Sequence, residues 1–142
     1  MYSTLDDIKK TVPNNDLIQL TDDTSPPTAI NQVNVDRAIS DADELIGGYL
    51  RGRYSLPLNP VPGLVNTLSA DISIYRLYAR RIKLKPPDMV LERYKDAIKT
   101  LEQIQKGTIS LSGQTVGDVP DIGGVKGSGA DRVFTRGTLG GF

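Results

Sequence analysis

The chain has 142 residues, with 17 Lys+Arg balanced by 17 Asp+Glu, 14 Gly, 9 Pro, and no His, Cys or Trp. That length supports one domain with a modest core, because a folded monomer of this size buries about two-thirds of the surface its unfolded chain exposes. Absent Cys removes disulfides, thiolate nucleophiles and zinc ribbons, and absent His removes the usual general base and metal ligand, so most enzyme classes are excluded and neither cofactor nor metal is expected.

Overall neutrality conceals an uneven distribution. Residues 1–46 carry nine acids against three bases, net −6, and residues 47–142 carry 14 bases against 8 acids, net +6. A molecule so divided attracts copies of itself acidic side to basic side, unless the fold interleaves the charges and cancels the dipole. Met1 to Lys10 lacks the basic-then-apolar order of a secretory leader, and no apolar run approaches about 18 residues. The expectation is a soluble protein made in the cytosol, with no membrane partner.

In chain order, Thr4 caps a short helical turn through Ile8, and Asn14 or Asn15 caps a second one from Asp16 to Leu20, with Pro13 between them. Ser25-Pro26-Pro27-Thr28 breaks helix and forces an extended linker to Asn34, the expected N-cap of a long helix from Val35 to about Arg51. Its apolar residues Val35, Ala38, Ile39, Ala42, Leu45, Ile46, Tyr49 and Leu50 recur with helical period. Gly47-Gly48 near its end costs about 1 kcal/mol per glycine relative to Ala, which points to a kink or to close approach of another backbone.

Pro57, Pro60 and Pro62 form a stiff connection, with Pro62 in the first turn of a helix expected to run to about Lys83 on the stripe Leu64, Val65, Leu68, Ile72, Tyr75, Tyr78, Ala79 and Ile82. After Pro86-Pro87 a third long helix presents Val90, Leu91, Tyr94, Ala97, Ile98, Leu101 and Ile104 before Gly107 ends it. Three stripes sharing one core predict an all-α fold. The expected form is a small helical bundle of three long helices plus short N-terminal ones, with an extended Gly-rich C-terminal arm. The division falls between a helical domain over residues 1–107 and an arm over residues 108–142.

Ten of the 14 glycines lie in the last 36 residues. Ile109 and Leu111 alternate with polar neighbours as in a short β segment, and the glycines beyond suit a flexible middle. Ordering those 36 residues costs at least roughly 1 kcal/mol each, more than burial of their ten larger apolar side chains, at most about 1.5–3 kcal/mol apiece, returns. Yet both Phe residues, Phe134 and Phe142, fall in the last ten positions with Val133, Arg136 and Leu139. A few buried aromatic, aliphatic and Arg anchors supply most of the energy of an interface, so these five are the candidate partner-binding residues.

Other motifs carry less chemistry. Residues 123–129 lack the Gly-Lys-Ser/Thr order of a phosphate loop. Asp22-Asp23 and Asp118 with Asp121 miss calcium-loop spacing and read as caps or turns. Asp71 beside Ile72 is a candidate buried acid without a partner base. The strongest charge run is Arg76, Arg80, Arg81, Lys83 and Lys85. It suits a DNA-binding face, but cations at a helix C-terminus also meet the helix dipole. Arg51 and Arg53 read as a helix end whose side chains bond a neighbour's carboxylates.

Leu5-Asp6-Asp7, Asp16 to Asp22, Val35 to Ile39 with Ala42, and Gly48 to Leu58 together resemble the small Mu-like phage proteins that sit between head and tail. Asp71-Ile72 with Tyr75 to Tyr78, and Arg93 to Ala97 through Leu101 to Lys106-Gly107, extend the likeness over about residues 2–111, while Arg132 to Arg136 match more loosely. The resemblance implies a virion protein without enzymatic activity, a head–tail connector or adaptor. Such a protein forms a homo-oligomeric, twelve-fold ring between the portal protein and the tail-side stopper or tail terminator. DNA passes through the ring without sequence-specific contact. It also implies that the arm engages the portal or a neighbouring subunit. Arg51, Arg53, Arg76, Arg80 and Arg81 are then candidates for a subunit interface or for the channel wall, and a DNA-binding module using the face from Arg76 to Lys85 is the alternative.

Overall fold

The computed structural model describes residues 1–81 and 83–111, and their regular structure is five helices: α1 (Leu5–Lys9), α2 (Asn14–Thr21), α3 (Gln32–Leu50), α4 (Gly63–Ala79) and α5 (Asp88–Lys106). No strand occurs among the described residues, so the chain is all-α. Residues 112–142 and Ile82 lie outside that description, and with them most of the expected arm.

Local chemistry sets the helix ends. Thr4 and Asp7 form a reciprocal capping box on α1, the Thr4 N–H donating to Asp7 Oδ2 at 2.9 Å and the Asp7 N–H to Thr4 Oγ1 at 3.4 Å. Neither Asn14 nor Asn15 caps α2; the helix starts on Asn14 directly behind Pro13, whose φ of −62° already suits a helix entry. α3 starts three residues before Val35. Asn31, not Asn34, is its cap, accepting from the Asn34 N–H at 3.2 Å, while the Asn34 amide donates to the Thr21 carbonyl at 2.7 Å.

Gly47-Gly48 does not break α3, which continues to Leu50. Gly47 is buried, and a Cβ there would lie 3.6 Å from the Leu56 side chain, so the connection to α4 packs closely over it, whereas Gly48 faces open space. Pro62 sits at the N-cap of α4, one residue ahead of the first turn. α4 ends at Ala79 rather than near Lys83: the backbone tightens there, the Arg81 N–H donating to the Tyr78 carbonyl at 3.1 Å, and the Arg80 and Arg81 side chains reach carbonyls at the end of α2. α5 stops where Gly107 adopts φ 85°, the left-handed cap that glycine favours.

The core is not single. One cluster joins Ala42, Ile46 and Leu50 of α3, Val65, Leu68 and Ile72 of α4, and Ala97, Leu101 and Ile104 of α5, with Tyr54, Leu58 and Leu111 closing it. A second joins Ile8, Val12, Leu17 and Leu20 to Val35, Ala38 and Ile39 of α3 and Ile74 and Leu77 of α4. α4 therefore buries two sides, since Ile72 and Ile74 stand about 200° apart around a helix. Leu64 and Ala79, expected in the core, are exposed instead. Of the two tyrosines assigned to the stripe, Tyr78 packs on the second cluster and Tyr75 stacks on Tyr94 with ring centroids 3.9 Å apart.

The N-terminus is tied to the bundle by polar contacts. The Tyr2 N–H donates to Asp43 Oδ2 at 3.0 Å, the buried Ser69 hydroxyl donates to Asp43 Oδ1 at 2.9 Å and meets the Ser3 hydroxyl at 2.7 Å, and the Asn66 amide bonds the Tyr2 carbonyl and Asp7 Oδ2, both at 2.9 Å. At the other limit of the described chain, Ile109 and Leu111 form no strand. They fold back on the first cluster, and the Leu111 N–H donates to Tyr54 Oη at 2.9 Å. The body thus extends past Gly107.

Candidate functional site

The basic run on α4 becomes a clamp. Arg80 Nη1 donates to the Leu20 carbonyl at 2.8 Å and Nη2 to Asp23 Oδ2 at 2.7 Å, and Arg81 Nη2 donates to the Asp22 carbonyl at 2.7 Å and Asp23 Oδ1 at 3.0 Å. Two cations from the end of α4 therefore satisfy carbonyls at the end of α2, where the negative pole of that helix dipole also favours them. The hydrogen bond from Arg80 holds the Asp23 carboxyl below the usual carboxylate range. An acid from the net-negative half thus meets cations from the net-positive half inside one chain.

Asp22 organises the loop behind this clamp. Its carboxylate accepts from the N–H groups of Thr24, Thr28 and Ala29 at 2.8–3.1 Å and from the Thr24 hydroxyl at 2.8 Å. Those donors, the Thr28 N–H foremost, push its pKa far below the ordinary value. Asp22 thus serves the turn.

A groove of about 710 Å³ opens beside the clamp, walled by Gln19, Asp23, Pro27, Arg80, Arg81, Lys83 and Leu84. Arg76 lines a neighbouring concavity of about 270 Å³ between α3 and α4 with Arg37, Asp41 and Arg80. The start of α3 therefore lies against the end of α4, and the two run antiparallel. Among the described residues, Arg76, Lys83 and Lys85 make no ion pair.

Arg51 and Arg53 lie beyond the C-terminal end of α3, at the opposite end of the α3–α4 pair. Arg51 is exposed beside Tyr2, Asp43, Glu44 and Leu56. The Arg53 guanidinium covers Gly107, where a Cβ would come within 2.8 Å of Nη2, so it too sits at a helix C-terminus, that of α5. The five candidate arginines thus form two groups, not one patch. Val133, Phe134, Arg136, Leu139 and Phe142 lie outside the described residues. Asp23 read as a cap or turn and Pro27 as a helix breaker, and neither they nor Leu84 signalled the groove in sequence, because Asp23 meets Arg80 across 57 residues of chain.

No group of three or more potential metal-binding side chains converges among the described residues, and no helix there is long and apolar enough to cross a membrane. Asp71 on α4 is half-buried with Arg93 at 3.8 Å, and burial raises its pKa.

What the described residues define is a small all-α body whose arginine clamp ties the end of α4 to the end of α2. A family model described as Bacteriophage Mu, Gp36 matches residues 2–126, and the chain belongs to that family of Mu-like phage proteins. It is 35% identical over 83 residues to the Mu-like prophage FluMu protein gp36 of Haemophilus influenzae, a stretch covering 58% of this chain and 56% of that protein. It is 31% identical over 87 residues to Gene product J of Escherichia phage Mu, covering 59% of each. The matched stretch thus spans less than three-fifths of either relative's own length.

Proposed function

We propose that the chain is a structural protein of the phage particle, a head–tail connector whose copies form a ring, twelve-fold as the resemblance implies, between the portal and the tail-side proteins around the DNA channel. The observation that carries this reading is that the described residues already bury two apolar clusters, within residues 1–111. The only two Phe of the chain stand beyond them in sequence, at 134 and 142. Those Phe, with Val133, Arg136 and Leu139, are anchors for the portal or a neighbouring subunit. Membership of a Mu-like phage family supports a place in the particle, and copies held side by side in a ring turn modest affinity per arm into durable attachment.

Deletion of residues 130–142 tests it directly. The thermal transition of the body is expected to stay nearly unchanged, and incorporation into particles is expected to be lost. A large loss of stability places the tip in the body's own core, and normal incorporation removes its anchoring role; either overturns the reading. The mass of the free protein, measured again after mixing with purified portal, establishes whether copies gather in a ring.

A further inference from the structure

We propose that the groove at the basic end of α4 is the seat of a segment of the chain's own arm, residues 117–122. The groove is net positive, because Arg80, Arg81 and Lys83 face a single carboxylate, Asp23, which leaves an excess of two cations. Its wall also has an apolar component, with Leu84 40% exposed beside Pro27.

The segment Gly117-Asp118-Val119-Pro120-Asp121-Ile122 has matching chemistry. It holds two carboxylates and two aliphatic side chains, and no base occurs between Lys106 and Lys126. Pro120 restricts the backbone, so less freedom is lost when the segment is held extended. In the polyproline-II form that Pro120 favours, with three residues per turn at about 3.1 Å each, Asp118 and Asp121 would share one side about 9 Å apart and Val119 and Ile122 the adjacent side, available to Leu84 and Pro27.

Reach permits the fit. Ten steps of chain from Leu111 to Asp121 span up to about 34 Å. Leu111 bonds Tyr54, just past the end of α3 and so at the far end of α4 from Arg80, and Gly63 to Arg80 is 17 steps or about 26 Å along the helix. Seating residues 117–122 there would send the tip with Phe134 and Phe142 out from the Arg80 end of the body. This holds whatever the tip binds, so its failure and that of the connector reading are separate results.

The chain has no cysteine, which makes disulfide trapping selective. In the full-length protein, Leu84→Cys with Val119→Cys is oxidised mildly and compared with Val61→Cys plus Val119→Cys, Val61 being an exposed residue at the other end of α4. The first pair is expected to close roughly tenfold faster, through the higher local concentration of seated ends. That advantage is expected to vanish at high salt and in Asp118→Lys with Asp121→Lys, substitutions that lie outside the described body. A monomeric product shows a chain filling its own groove and supports the proposal, whereas a ladder shows a neighbour's arm filling it and overturns the assignment to the chain's own arm. Equal rates for the two pairs overturn it. So does an advantage that survives the charge reversals, or duplex DNA binding that Lys83→Glu abolishes while the reversals leave it unchanged.

Discussion

Two carboxylates in this body respond to pH in opposite senses, because their surroundings act on opposite protonation states. Asp22 is held by backbone donors that bind only its charged form, so its pKa in the folded chain falls below 3.8. Its contribution to stability is complete above that value and is lost as pH falls toward the folded pKa. Asp71 is half-buried and its pKa rises above 3.8. Its charged form is a liability that appears as pH climbs through the unfolded value and is complete above the folded one. Asp22→Asn is therefore expected to lower the melting temperature at pH 7, with the deficit shrinking below about pH 4. Asp71→Asn is expected to leave it unchanged or raise it at pH 7, with any gain vanishing in acid. Thermal melts of both variants and the parent across pH 3–8 check the two signs, and a parallel pH response in the two variants contradicts the assignment.

At the scale of elements, α4 couples the two clusters, with Ile72 on one side and Ile74 and Leu77 on the other. Leu77 is fully buried in the second cluster, so Leu77→Ala is expected to destabilise by about 3 kcal/mol through lost burial and a residual cavity. The coupling adds a sharper expectation. Because α4 cannot leave one cluster without leaving the other, the Tyr75–Tyr94 stack against α5 should melt together with the helices in that variant. Far-ultraviolet and tyrosine signals that separate would show two independent cores.

The helices themselves were legible in the sequence because period and caps coincide. Thr4 begins α1 as expected, and Gly107 ends α5 where no other residue takes φ 85° easily. The start of α3 was misplaced because its first turn, Gln32-Val33-Asn34, contributes nothing to the buried stripe, and Val33 is 69% exposed. The double burial of α4 was hidden for a related reason: a periodic stripe records one face, and Ile74 and Leu77 form a second. At the candidate site the cations were legible as a run, but their partner Asp23 and the carbonyls of Leu20 and Asp22 were not, since no local spacing joins positions nearly 60 residues apart.

For the whole molecule, the decisive feature is where the self-sufficient body stops. Composition places the change at Gly107, where the helical period ends and the glycines begin to accumulate. Packing carries the body at least to Leu111, which is 6% exposed within the first cluster and whose N–H bonds Tyr54 Oη, itself part of that cluster. A chain ending at Thr108 loses the burial of Leu111, worth about 1.5–3 kcal/mol, and leaves the buried hydroxyl of Tyr54 without its backbone donor, which adds to the cost. A chain ending at Gln114 keeps both. Denaturant melts of the two truncations beside the full chain should therefore place the first about 2–4 kcal/mol below the second. The second should match the full chain if residues 115–142 contribute their energy to contacts outside the core. Should ending at Gln114 also cost several kcal/mol, the tip belongs to the body, and the division of labour between a closed helical unit and a docking arm would have to be redrawn.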